Sequence, residues 1–237
     1  MNTITKHYID GAFVESRGTE VMDIIKPTNG RVIGRVTLAD EEDTKHATAA
    51  AKNAFAGFGR STKEERTKIL RRLHEAASAR LDDLRAVMVE EYGGVVKFAG
   101  LIVQAGINAF LAAEQALQEL PLTHSLGQND GHPGAGRRGR SDYGVDANVV
   151  FICLKLASAV AAGCTVVIKP SELSSLQTWV LVEALHERIS QRVCLTWSRA
   201  AAMSSAPGWY VIPMSPRSRS QGRWALANRS CATGRKP

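Results

Sequence analysis

The sequence predicts an α/β fold, and three observations carry the prediction. Near the start, Gly-containing turns separate short β-like runs; hydrophobic residues then switch to helical spacing; and later an Ala-rich segment leads into the β-branched run TVVIK, stopped by Pro170.

In chain order, HYIDGAFVES places Asp10-Gly11 between two strand-like runs, a hairpin signal because glycine tolerates positive φ. IIKPTNGRVIGRVTLA repeats the device with Pro27 and Asn29-Gly30. Asp40 followed by Asp43 suits a helix start, and Ala47, Ala50, Ala51, Ala54 and Phe55 recur at helical spacing up to Gly57. Ser61 with Glu64 predicts a second capping box before TKILRRLHEAASARLDDLRAVMVEEYG, where Leu70, Leu73, Ala77, Leu81 and Leu84 make one apolar stripe. A helix from about Val95 to Leu120 is expected next, with Gly100 and Gly106 permitting close packing. ANVVFICLKLASAVAAGCTVVIKPSE then divides into a β-rich run, a helix ending at Gly163 and the strand TVVIK, and a helix from about Ser174 to Glu187 follows. Such alternation predicts a parallel sheet with right-handed crossovers, whose ligands lie beyond the carboxyl ends of the strands, where Lys169 and Glu172 fall. The chain contains no Walker loop and no HExxH.

An apolar content of 44% is that of a globular protein, and the net charge of +7 is unevenly spread. From Arg188 to Pro237 there are nine bases and no acids. The window from His132 to Val145 adds +2, which leaves −4 on everything else, an ordinary enzyme-like surface. The N-terminus lacks the zones of a signal peptide, and no uninterrupted apolar run approaches the length of a membrane span, so no membrane association and a cytoplasmic location are expected. Cys153, Cys164, Cys194 and Cys231 have neither CxxC spacing nor adjacent histidines, which predicts buried thiols with no metal site. His46, His74 and His186 are isolated helical histidines, expected in packing or solvated positions.

At KLASAVAAGCTVVIKPSE the sequence resembles the aldehyde dehydrogenase family, and TKEERTKILRRLHEAASAR resembles the N-terminal region of the same family. The similarity covers Lys6 to about Gly131 and Ala147 to Glu187. The resemblance implies an incomplete Rossmann-like NAD-binding domain over residues 1–187, with N-terminal β-hairpins and helices. It implies NAD(P)-dependent oxidation of an aldehyde to a carboxylic acid, through a thiohemiacetal on a nucleophilic Cys and hydride transfer. Lys169 and Glu172 match the ribose-binding Lys and Glu of its KPSE motif. A carboxylate there accepts both ribose hydroxyls and repels a 2′-phosphate, which favours NAD over NADP. Taken alone, the two residues would read as the end of an exposed strand and the cap of the next helix.

The departures from the family pattern matter as much. Asp146 stands where the family has the Asn that donates to the developing oxyanion, and Val145 replaces the preceding Trp. An ionised carboxylate opposes the charge that the amide stabilises, and loss of one such donor costs about 3 kcal/mol. The general-base Glu, the nucleophilic Cys, the FTGS cofactor turn and the oligomerisation hairpin have no counterpart, so no catalytic residue is assigned and the chain is expected to be inactive. One cause joins these departures: basic stretches read from the family's gene in displaced frames. Joining the third base of each codon to the first two of the next, SQRVCLTWS permits P-A-G-V-F-N-L-V, and PMSPRSRSQGRWALAN permits D-V-A-K-I-S-F-T-G-S-V-G-T-G-K. Residues 132–146 permit R-E-P-V-G-V and A-I-T-A-W in the remaining frame. Residues 188–237 are therefore expected to be a disordered tail, with 132–146 an aberrant loop and the edge of TVVIK uncovered. The competing reading is a binding protein whose Ser/Arg-rich tail contacts nucleic acid or another anionic surface. The displaced motifs explain the same residues with fewer assumptions, so a nucleic-acid partner is not expected.

Overall fold

The computed structural model describes residues 2–120, 124–126, 129–131, 148–188, 195–197 and 210–214. Five short strands open the chain: β1 (Asn2–Ile4), β2 (Lys6–Ile9), β3 (Ala12–Glu15), β4 (Val21–Ile25) and β5 (Val32–Thr37). Their turns form as the sequence predicts. Asp10 and Gly11 adopt φ of 51° and 81°, Gly30 adopts 69°, and β2 pairs with β3 and β4 with β5 in antiparallel ladders. β1 adds a parallel strand to β5.

Helix α1 (Glu41–Phe58) starts with the reciprocal Asp40/Asp43 capping box. The Asp43 carboxylate also gathers the loop after β3, accepting from Ser16 Oγ at 3.1 Å and the Arg17 N–H at 3.0 Å. Helix α2 (Lys63–Ala79) is capped by Thr62 and Glu65, one residue beyond the predicted Ser61/Glu64 pair. Ser61 is engaged elsewhere: its hydroxyl donates to the Phe58 carbonyl at 2.6 Å and accepts from Arg66 Nε at 2.9 Å. The predicted single stripe spans two helices, because Arg80 ends α2 and begins α3 (Leu81–Tyr92). Leu70, Leu73, Ala77 and Leu84 nevertheless share one core.

Helix α4 (Val96–Glu119) has the predicted extent, and a Cβ at Gly106 would lie 2.8 Å from Val150 Cα. Gly106 is thus a close-packing residue, whereas Gly100 meets only Arg85 Cδ, at 3.4 Å. By length and composition α4 could cross a membrane, with a mean hydropathy of 1.5, which a search for uninterrupted apolar runs misses. Ala99, Val103, Ile107, Phe110 and Leu117 turn into the core, while Val96, Phe98, Leu101 and Leu111 are exposed on the other side, so α4 packs by one face. Strands β6 (His124–Leu126) and β7 (Asn129–Gly131) pair as a two-stranded ribbon.

The β-rich reading of ANVVFIC is corrected: helix α5 runs continuously over Asn148–Ala161. Val149, Ile152, Cys153, Leu156, Ala157 and Val160 are all buried, and this helical period against α4 overrides the β preference of Val and Ile. Gly163, at φ of 72°, turns the chain into β8 (Thr165–Lys169), whose five residues are buried. A 3-10 turn (Glu172–Ser174) leads into α6 (Ser175–Arg188).

The tail contributes β9 (Leu195–Trp197) and β10 (Tyr210–Met214), giving a five-stranded sheet in the order β10-β8-β9-β2-β3. β8 pairs with β9 in parallel and with β10 antiparallel, so the expectation that β8 lacks a neighbour is corrected and the sheet is mixed. Tail residues other than these strands and Arg188 lie outside the described residues, as does the whole of 132–146.

Candidate functional site

The site grows from the carboxyl end of β8. TVVIK is β-branched and apolar enough to run through the core, and Pro170 ends it by lacking the N–H for another ladder bond. Ser171 adopts an extended conformation, and its hydroxyl accepts the Leu173 N–H at 3.3 Å, which turns the chain back on itself. That reversal brings Lys169 and Glu172 together, Nζ donating to Oε1 at 2.6 Å. Lys169 does not end an exposed strand: its side chain is 8% exposed, against 28% for Glu172. The capping role that Glu172 would have in isolation belongs to Ser171.

Several groups that sequence reasoning did not single out hold this corner. Ser175 Oγ donates to the Glu172 carbonyl at 2.9 Å. Buried Asn148, at the start of α5, donates to the Ser174 carbonyl at 3.0 Å and Thr178 Oγ1 at 2.9 Å. Glu91, near the end of α3, accepts the N–H groups of Leu176 and Gln177 at 2.7 and 3.1 Å. In the sequence Glu91 is one of two adjacent acids in VEEYGG, and nothing local distinguishes it. Also on α6, Trp179 meets Phe13 at a tilt and His186 meets it edge to face, and His186 Nδ1 lies 3.3 Å from Tyr8 Oη. His186 is thus a packing residue. Burial raises the Tyr8 phenol above its usual value.

Arg66 closes the start of β8. Its guanidinium donates to the Ala161 carbonyl at 3.2 Å and lies so near Gly163 that a Cβ there would come within 2.4 Å of Nη2. Desolvation lowers the Arg66 pKa. Cys153 and Cys164 are buried free thiols; burial pushes Cys153 up to about 12 and also raises Cys164, less the opposing effect of Arg66. Neither is an activated nucleophile. Among the described residues no cluster of three or more His, Cys, Asp or Glu could hold a metal ion. A surface cleft bordered by Leu81, Arg85, Val96, Lys97, Gly100 and Leu101 contains neither Lys169 nor Glu172. Asp146 lies outside the described residues.

A half-accessible carboxylate beside an ammonium, at the carboxyl end of a strand, suits a vicinal diol: the carboxylate accepts two hydroxyls and the ammonium donates to one. The pair fits the ribose of a dinucleotide in chemistry and position. Comparison with known proteins shows which family the chain resembles. The sequence model of the aldehyde dehydrogenase family matches residues 13–194. A 3-succinoylsemialdehyde-pyridine dehydrogenase from a Pseudomonas species is 31% identical over 196 residues, 79% of this chain and 40% of that protein. A Staphylococcus epidermidis protein named as an aldehyde dehydrogenase is 32% identical over 186 residues, 77% of this chain and 39% of its own length. Among solved structures, a Bartonella henselae aldehyde dehydrogenase superposes with a TM-score of 0.77 at 21% identity, over 86% of this chain and 44% of that one. Aldehyde dehydrogenase C from Pseudomonas syringae, in complex with NAD+ and octanal, gives a TM-score of 0.76 at 25% identity, over 84% of this chain and 41% of that one. The chain therefore spans about 40% of the length of these relatives. With a family match across most of its residues and a superposable α/β fold, this chain belongs to the aldehyde dehydrogenase family.

Proposed function

We propose that residues 1–187 form the ribose-holding part of an aldehyde dehydrogenase NAD-binding domain, and that Lys169 and Glu172 hold the ribose. The observation that carries this reading is the 2.6 Å pair at the carboxyl end of β8, in a chain matched by the family over residues 13–194. The cofactor, when bound, supplies the hydride acceptor; the chain's own task is to grip and orient it. Glu172 accepts the ribose hydroxyls and opposes a 2′-phosphate, so NAD is the favoured form. Lys169 holds Glu172 in place through their 2.6 Å bond and donates to the same sugar.

The substrate class carried over from the family is an aldehyde, and a polypeptide of this sequence does not oxidise it. Asp146 replaces the oxyanion donor, and the 237 residues contain no match to the family's nucleophile, general base or FTGS turn. Residues 132–146 and 188–237 are family segments read in displaced frames. The family match, made in the translated frame, runs to residue 194, past the start of the proposed displaced tail, and β9 falls on the stretch whose shifted reading ends in N-L-V. The comparisons lend no support to a nucleic-acid or anionic-surface binding protein.

Incubating the purified chain with NAD and a panel of aldehydes should produce no reduced nicotinamide. Turnover abolished by Cys164→Ala would overturn the inactive reading, and micromolar NAD affinity by calorimetry would contradict a site reduced to its ribose contacts. The displaced-frame reading is tested on the nucleotide sequence around codons 131–146 and 187–190. It fails if neither alternate frame spells the family strings.

A further inference from the structure

Glu91 is 5% exposed, and the ribose reading makes no direct use of it. Its carboxylate crosses from α3 to another helix, where Oε1 accepts the Leu176 N–H at 2.7 Å and Oε2 the Gln177 N–H at 3.1 Å. Both donors belong to the first turn of α6. A helix start carries unbonded N–H groups and partial positive charge, the combination that attracts phosphate. Here the chain fills that position with its own anion. The start of α6 is also continuous with the cofactor-side corner: the 3-10 turn that carries Glu172 runs into it, Ser175 Oγ donates back to the Glu172 carbonyl at 2.9 Å, and α3 packs on the turn. Lys169, the cation of the corner, is already paired with Glu172 at 2.6 Å.

We infer that Glu91 is a second determinant of dinucleotide choice, seating a buried carboxylate on the start of α6 so that a 2′-phosphate beside Glu172 finds no free helix terminus and meets a second negative charge. The inference rests on the ribose reading of Lys169 and Glu172. It separates two kinds of exclusion. Glu172 would be in contact with the sugar, whereas Glu91 acts through the field at the end of α6, and a buried charge is little screened by salt. Glu91 is therefore a specificity residue without being a ligand.

The test compares ADP-ribose with 2′-phospho-ADP-ribose, titrated by NMR at millimolar ligand into the full chain and its Glu91→Gln, Glu91→Asp and Glu172→Gln variants. Glu91→Gln should tighten the 2′-phosphorylated ligand about fivefold, the size of effect a single charge has at a helix start, and leave ADP-ribose within about twofold. Glu91→Asp, which keeps the charge, should retain the parent preference. An equal change for both ligands in Glu91→Gln would show a purely structural role and overturn the inference. Should Glu91→Gln fail to fold, Glu172→Gln decides alone: a residual preference of about fivefold for ADP-ribose is expected from Glu91, and its complete loss overturns the inference. The ribose reading fails separately if Glu172→Gln and Lys169→Met both leave ADP-ribose affinity unchanged.

Discussion

Asp43 and Lys169 are both charged and both removed from solvent, yet their surroundings differ in kind. The Asp43 side chain is 3% exposed and accepts from Ser16 Oγ, from the N–H groups of Arg17 and Asp40, and more distantly from Gly18, with His7 Nε2 3.6 Å away. Lys169 is 8% exposed, and the hydrogen bond described for it is the one to Glu172. An ammonium has three donors and the bond described for Lys169 uses one, whereas Asp43 Oδ2 alone accepts from Ser16, Arg17, Gly18 and Asp40. A buried charge whose valences the chain itself fills is part of the scaffold. One left with donors to spare, at the carboxyl end of a strand, is where the proposed ribose would add its hydroxyls.

The sharpest way to break this contrast is to delete each charge in turn. Asp43→Ala leaves the donors of the loop after β3 and the start of α1 without their acceptor in a dry site, and should cost about 3 kcal/mol or more in urea denaturation. Lys169→Met leaves only the partly exposed Glu172 without its partner, and should cost about 1 kcal/mol or less. Equal losses would erase the distinction between scaffold and site.

The same contrast explains what could be read in the sequence. Turns, helix starts and apolar stripes are local, so Asp10-Gly11, Asn29-Gly30, the Asp40/Asp43 box and the span of α4 were legible residue by residue. Errors arose where tertiary packing decided. Ser61 lost the capping position to Thr62 because Arg66 engages its hydroxyl, and VVFIC became helical because α4 offers a groove at Gly106. Lys169 and Glu172 were legible through the KPSE motif, but their mutual bond was not, since it depends on the reversal at Ser171. Glu91 lies 85 residues from the N–H it caps, a distance over which no sequence pattern operates.

Arg66 sharpens the comparison from the opposite sign. It is a buried cation held by a hydroxyl and a carbonyl, and it packs over Gly163 where the backbone has φ of 72°. Gly163→Ala should destabilise by about 2 kcal/mol, combining left-handed backbone strain with the clash against the guanidinium. Arg66→Ala removes the clash but not the strain. Thermal melts of the double variant should therefore show less than the sum of the two single losses, and strict additivity would mean that the two residues do not touch.

Cys153 extends the argument to a group kept neutral by burial. The thiol is fully buried on α5, and burial raises its pKa from 9.0 to about 12. Below about pH 9 both the folded and unfolded chains hold the proton, so its contribution to stability is complete. Between there and about pH 12 the unfolded chain ionises while the folded chain does not, and stability falls by about 1.4 kcal/mol per pH unit from this one group. Cys164, also raised, and the Tyr8 phenol add slopes of the same sign. A Cys153→Ala variant isolates the contribution. At pH 8 it should be less stable than the parent by about 1 kcal/mol, the loss expected on removing a small buried group. Because it lacks the slope, its denaturation midpoint should fall less steeply with pH and cross that of the parent in the alkaline range. Parallel midpoint curves would show that the α5 interior admits solvent and that Cys153 is not held in the dry core that also carries β8.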